Sequence, residues 1–255
     1  MDILQRDYLP ENLHPHLQAH GIEACIAVQA RASKTETDFL LELANNYDWI
    51  AGVIGWVDLS ASDAKRGMGH WSDAKLLGFR HQLQDEANVG AMVRSTAFQA
   101  SVARLQAEKK IYEILVYAHQ LDSAIQLCSI NDRHFLILDH LGKPSIRTGT
   151  FAAWYHQLQS LGSMPHVFCK LSGLVTEAAD DGNGYDVSEI HRYLDAALEI
   201  FGPQRLMFGS DWPVCLLAAS YAAVHELITR WADPLSDAEK NYLFGGTAIR
   251  CYGLT

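Results

Sequence analysis

A carboxylate stands where an apolar run stops. In the stretch RLMFGSDWPV, Leu206, Met207 and Phe208 are long and apolar, the composition of a strand covered on both faces. Gly209 and Ser210 interrupt the run, Asp211 follows, and Pro213 biases Trp212 toward extended backbone. An acid at the carboxyl end of a buried strand lies where ligands of α/β folds bind, although capping a helix is the plainer use of such a residue. Six earlier apolar runs also end in polar residues: Gln29, Asp58, Arg80, His119, Asp139 or His140, and Lys170. If the strands run parallel, these side chains share one face, which is enough for acid–base hydrolysis. Asp211 has the chemistry of a general base on water, and His140 that of a group polarising a carbonyl or binding a metal. Arg80 and Lys170 suit a developing oxyanion or a polar substrate group. Each also has a structural use: Lys170 can snorkel, Arg80 can pair with Asp85 or Glu86, and His119 can open a helix. A serine nucleophile finds no support, because Gly209-Ser210-Asp211 is not a G-x-S-x-G elbow.

The elements that must position these residues repeat one grammar of apolar run, polar end and helical segment. The runs are 24–28, 50–57, 76–79, 114–118, 135–138, 166–168 and 206–208. After the first, the helix of residues 35–47 places Phe39, Leu40, Leu43 and Ala44 on one side. Alternating βα units predict a parallel sheet with right-handed crossovers. Seven runs fit an open doubly wound sheet or fall one short of a closed (β/α)₈ barrel. The first run lacks the glycine-rich phosphate turn of a nucleotide-binding sheet, since Gln29-Ala30-Arg31-Ala32-Ser33 contains no glycine. Residues 172–188, with Asp180-Asp181-Gly182-Asn183-Gly184, read as a long loop serving as a lid or as a passive insertion. The chain closes with a helix near 221–231, a break at Asp233-Pro234 and a helix from about Ser236. No linker or second domain is visible, so residues 1–255 read as a single barrel-type domain.

Composition narrows the partner. Of the 255 residues, 49% are hydrophobic and 20% charged, ordinary for a soluble globular protein. A formal net charge of -10 with no basic stripe argues against nucleic acid and leaves a small molecule. The five cysteines have no CxxC spacing and read as reduced, buried thiols, which points to the cytoplasm. No apolar run reaches the length of a membrane span. His14-Pro15-His16 has the His-x-His spacing of metal hydrolases, but it opens a helix of roughly residues 10–20. A metal pair needs alternate positions on a strand, so these read as solvated helix histidines.

Four motifs together resemble a known family. Gly78-Phe79-Arg80-His81, Leu138-Asp139-His140-Leu141-Gly142-Lys143-Pro144, Cys169-Lys170-Leu171-Ser172-Gly173-Leu174 and Phe208-Gly209-Ser210-Asp211-Trp212-Pro213 are similar to the amidohydrolase-related (amidohydrolase 2) family. Within it they resemble the sugar-lactone hydrolase branch, such as fuconolactonases, and the related 2-pyrone-4,6-dicarboxylate lactonase. The resemblance runs from about Arg6 to the C-terminus. It implies a (β/α)₈ barrel that opens a lactone with water, Asp211 as the base and His140 beside the scissile carbonyl. Arg80, His119, Lys170 and Trp212 would surround a lactone or sugar acid. Members of the family begin with a strand carrying His-x-His, which would lie upstream of Arg6 and is not read here, consistent with the count of seven. A start placed too far downstream is the preferred explanation, with a natural variant or a strand supplied by a partner as alternatives. Relatives work with or without a divalent metal such as zinc. With only His140 and Asp211 as candidate ligands, metal binding is expected to be weak or absent. Two alternatives to the hydrolase stay open: a catalytically inactive barrel that binds a sugar acid or partner, and a decarboxylase of the same superfamily. A homo-oligomer is compatible with the sequence.

Overall fold

The apolar runs form seven parallel strands in the computed structural model, which describes residues 2–149, 151–179 and 184–254. They are β1 (Cys25–Val28), β2 (Ile50–Gly55), β3 (Leu76–Phe79), β4 (Ile111–Ile114), β5 (Leu136–Leu138), β6 (Val167–Leu171) and β7 (Leu206–Phe208). Their order in the sheet is their order in the chain. Near-continuous Val, Ile, Leu and Phe suit strands that bury both faces. Every residue of β4, β5 and β6 is buried, whereas all of β1 is half-exposed. Where β3 meets β4, a Cβ on Gly78 would lie 2.1 Å from the Ile111 carbonyl oxygen, so this approach requires glycine.

The chain forms two units by internal contact: residues 23–138 with 164–167, and residues 1–22 with 139–163 and 168–255. The first is the Arg80 unit and the second the His140 unit. In the Arg80 unit, β1 to β5 pair in parallel, each with the next. The largest departure from the sequence boundaries is at the fourth strand. The fourth run is displaced upstream, because β4 ends at Ile114, and His119 lies beyond it on a short 3-10 helix, Ala118–Gln120. The helix Lys34–Asn46 buries Thr37, Leu41 and Ala44, while Phe39 stays 45% exposed. Ala44 is buried as read and Leu40 and Leu43 are half-buried, but hydrophobicity misplaces Phe39 and misses Thr37, which is buried for its hydroxyl. That hydroxyl accepts from the Trp56 amide at 2.8 Å and donates to the Trp56 carbonyl at 3.3 Å, finishing backbone just past β2. Thr37→Val keeps the shape and strands these groups, so it should cost about 1–3 kcal/mol, read by urea denaturation. A loss below about 0.5 kcal/mol would mean that water replaces the hydroxyl.

In the His140 unit, β6 and β7 pair in parallel. The helix Phe151–Gly162 buries Trp154, which donates its indole N–H to the Leu141 carbonyl at 2.8 Å. The helix Val187–Phe201 opens on an Asp186 cap that accepts from the Ser188 and Glu189 amides. The segment read as one long loop after the sixth run is partly helical, Leu174–Ala178, because Gly173 supplies the left-handed backbone (φ 70) that turns the chain out of β6. The Asp180–Asn183 part of that reading lies outside the described residues. Lys170 also moves: it belongs to β6 itself and does not follow it. The helix Pro10–Ala19 does carry His14 and His16. His16 is exposed but not merely solvated, since its ring stacks on the buried Tyr221 with centroids 5.3 Å apart.

All five cysteines are free thiols and four are buried. Burial pushes the Cys215 thiol up to about 12, which keeps it protonated and unreactive at neutral pH. Among the described residues no helix is long and apolar enough to cross a membrane.

Candidate active site

The turns that follow β5 and β7 each carry one candidate side chain within the His140 unit. After β5, residues 139–142 form a 3-10 turn in which His140 (φ 53), Leu141 (φ 54) and Gly142 (φ 69) are left-handed, and Lys143 (φ 50) continues it. So abrupt a turn sends consecutive side chains in different directions. Asp139 is fully buried and meets Lys170 of β6, with Oδ1 and Nζ 2.9 Å apart. His140 points instead to Ser172, whose hydroxyl is 2.7 Å from Nδ1. Of the two candidates at this strand end, Asp139 pairs with a strand lysine, and His140 lies against Ser172.

After β7, Asp211 is also left-handed (φ 54), a conformation that Asp tolerates better than most residues. Its carbonyl accepts from the Cys215 amide at 2.8 Å, which ties it to the turn that follows. The side chain reaches back so that Asp211 Oδ1 lies 3.8 Å from His140 Nε2, the two side chains being 18% and 13% exposed. That gap is too long for a direct hydrogen bond, but one oxygen atom can sit about 2.8 Å from both. When the Ser172 hydroxyl donates to Nδ1, Nε2 carries the proton and becomes a donor, and Asp211 is an acceptor. In that tautomer an acceptor and a donor lie 3.8 Å apart, the arrangement that a base and an electrophile require.

Other residues frame this pair. Gly173 lies against the imidazole so closely that a Cβ there would meet His140 Cγ at 2.9 Å, which holds the ring in place. Lys143 Nζ is 3.5 Å from Glu177 Oε1. Burial raises the Glu177 carboxyl above its usual value, Lys143 opposes the shift and Asp211 adds to it, so Glu177 is a second carboxyl within electrostatic reach of Asp211. Trp212 packs edge-on against Tyr8 at 5.1 Å, and the Arg6 guanidinium covers the other ring of that pair, 4.7 Å from the Tyr8 centroid. Ser172, Lys143 and Glu177 were not singled out in the sequence. The first two sit inside quoted motifs, but nothing local distinguishes them from ordinary loop residues.

In the Arg80 unit the strand ends are occupied by structure. Arg80 is 8% exposed and donates to the Gln29 carbonyl, while the Gln29 side chain donates back to the Arg80 carbonyl at 2.7 Å. Glu86, a possible partner for Arg80, instead lies 2.8 Å from His81 Nε2, and His81 Nδ1 accepts from the Leu59 amide at 3.2 Å. For Asp58, burial raises the carboxyl, but two hydrogen bonds from Ser60 and the nearby His81 outweigh it and hold it below its usual value. The ring of His119 stacks on Tyr117, with centroids 5.8 Å apart.

The sequence model of the family described as "Amidohydrolase" matches residues 2–254. The chain belongs to the amidohydrolase family. An L-fucono-1,5-lactonase of Burkholderia multivorans is 53% identical over 263 aligned residues, covering 100% of this chain and 88% of that protein. An L-fucono-1,5-lactonase of Burkholderia ambifaria is 31% identical, covering 99% of this chain and 87% of that one. A crystal structure of a Burkholderia multivorans amidohydrolase with bound zinc superposes with a TM-score of 0.97 at 52% identity, covering 100% of this chain and 92% of that one. The fold class is therefore that of the amidohydrolase α/β barrels, with seven parallel strands among the described residues.

Zinc belongs to that structure, and the donors of this chain have to be weighed on their own. A catalytic zinc takes three protein ligands and a water. Among the described residues no group of three or more His, Cys, Asp or Glu is placed to hold a metal ion, and His140 with Asp211 offers one imidazole and one carboxylate. Among the described residues, the donors at His140 and Asp211 are thus one short of that ligand count.

Proposed function

We propose that this amidohydrolase opens a sugar 1,5-lactone with water. The similarity to two L-fucono-1,5-lactonases supports the substrate class, and the meeting of His140 Nε2 with Asp211 Oδ1 at 3.8 Å is the observation that carries the mechanism. Asp211 takes a proton from a water molecule as its oxygen attacks the lactone carbonyl carbon. His140, polarised through Ser172, donates to the carbonyl oxygen as negative charge develops there. When the tetrahedral adduct collapses, the bond to the ring oxygen breaks and the proton held by Asp211 passes to that leaving oxygen. The sum is lactone plus water to hydroxy acid, with both side chains restored.

Trp212 offers an aromatic face to the apolar side of a sugar ring. Lys170 is a substrate candidate whose charge is already balanced by Asp139. For Arg80 and His119 the assignment rests on their position in the chain alone. Buried free thiols favour a reducing compartment such as the cytoplasm.

Acid release from L-fucono-1,5-lactone and other aldonolactones, followed at constant pH, tests this reading. One equivalent of acid per lactone, well above the spontaneous rate, is the expected result. Carbon dioxide released from a hydroxybenzoate, with no lactone opened, would replace the reading with a decarboxylase. Saturable binding of a sugar acid without turnover would replace it with a binding protein.

A further inference from the structure

One charged pair beside His140 and Asp211 has no part in the chemistry above. Lys143 Nζ and Glu177 Oε1 are 3.5 Å apart, with side chains 19% and 23% exposed. Short backbone links tie both to His140. Lys143 ends the same left-handed turn, and its amide donates to the His140 carbonyl at 2.8 Å. Glu177 rides on the helix Leu174–Ala178, and Gly173, just before that helix, abuts the His140 ring. Its amide donates to the Gly173 carbonyl at 3.3 Å. The helix around it is otherwise apolar inward, with Leu174, Val175 and Ala178 buried.

A partly exposed ion pair adds little to stability, about 0–1 kcal/mol, so folding alone is a poor account of two charges held here. Their chemistry is more informative. An ammonium only donates and a carboxylate only accepts, whereas a hydroxyl does both. A separation of 3.5 Å exceeds the usual charge-assisted bond, and a hydroxyl oxygen can lie about 2.8 Å from each group, accepting from Lys143 and donating to Glu177. A sugar lactone carries such a hydroxyl on the carbon next to its carbonyl. Glu177 lies within electrostatic reach of Asp211, and with the carbonyl at His140 and Asp211 that hydroxyl is the one the substrate carries closest to the carbonyl.

We propose that Lys143 and Glu177 form the subsite for the hydroxyl adjacent to the scissile carbonyl, so that the enzyme selects 2-hydroxy lactones; the proposal rests on the lactone reading of His140 and Asp211. The two residues determine specificity and take no part in proton transfer to the reacting atoms. A six-membered sugar lactone and its 2-deoxy counterpart test it, as kcat/KM of the wild type, Glu177→Gln and Lys143→Met. The wild type should prefer the 2-hydroxy lactone by on the order of 100-fold, the worth of hydrogen bonds to charged groups. Each variant should lower that ratio at least about tenfold, mainly through KM for the hydroxylated substrate. Thermal melting confirms that each variant is folded, and Glu177→Gln, nearly isosteric, stands in if Lys143→Met is not. Ratios unchanged in the folded variants, with a wild type that opens both lactones, would overturn the subsite and leave the lactone reading intact. A wild type that opens neither would overturn the lactone reading first, and the subsite with it.

Discussion

Replacing Asp211 with asparagine is expected to lower kcat for lactone opening by about 10²–10⁴-fold while KM changes little. Asparagine keeps the size of the side chain and tolerates the left-handed backbone that residue 211 adopts (φ 54), so the turn after β7 should survive. What it cannot do is accept a proton from water at neutral pH. His140 Nε2, 3.8 Å away, would still meet the carbonyl, which is why substrate binding is retained and only the step that needs a base is lost. Alanine would be a poorer probe, since it adds a strained backbone to the missing carboxylate. The measurement is acid release at constant pH from the best aldonolactone, with thermal melting as the control for folding. A variant within tenfold of the wild type would place the base elsewhere.

Asp139→Ala should be the most damaging single change to stability, at about 3–5 kcal/mol in urea denaturation. The Asp139 side chain is fully buried and that of Lys170 is 11% exposed, with 2.9 Å between Oδ1 and Nζ. Removing the carboxylate leaves an ammonium inside a strand whose every residue is buried. Such a charge costs far more alone than the pair contributes when intact. Replacing both partners with apolar residues of similar volume, Asp139→Leu with Lys170→Met, should therefore recover most of the loss. A single-variant loss below about 1 kcal/mol would show that Lys170 can turn to water or another acceptor. Because Asp139 precedes His140 directly, the single variant should also disturb the turn that aims the imidazole, and turnover is expected to fall together with stability.

Much of the architecture was legible because strand formation in this fold is a local matter of composition. The third and seventh runs coincide with β3 and β7, each a short apolar stretch cut off by glycine or a charge. The misplaced fourth strand shows where locality fails. Residues 111–118 are apolar nearly throughout, and pairing with β5 selects the early half, with Tyr112, Glu113 and Ile114 opposite Leu136, Ile137 and Leu138. Glu113, fully buried in the middle of β4, gives no apolar signal for a strand there. Thr37 fails in the same way: its burial answers to backbone groups of Trp56, which the helix's own sequence does not contain.

For the site, the sequence by itself determined which residues stand at the strand ends, because a break after an apolar run can be read without knowing its neighbours. Asp211 and His140 were reached in that way, whereas Lys170 lies within β6 and His119 beyond the end of β4. Only the tertiary structure decided what each one touches. Ser172 lies 32 residues from His140 in the chain, and Lys170 lies 31 beyond Asp139, so neither partnership leaves a local trace. The left-handed backbone at residues 140–143 and 211 belongs to this second class as well. Non-glycine residues rarely choose it unaided, and it persists here because hydrogen bonds and packing from distant segments hold the turn in place.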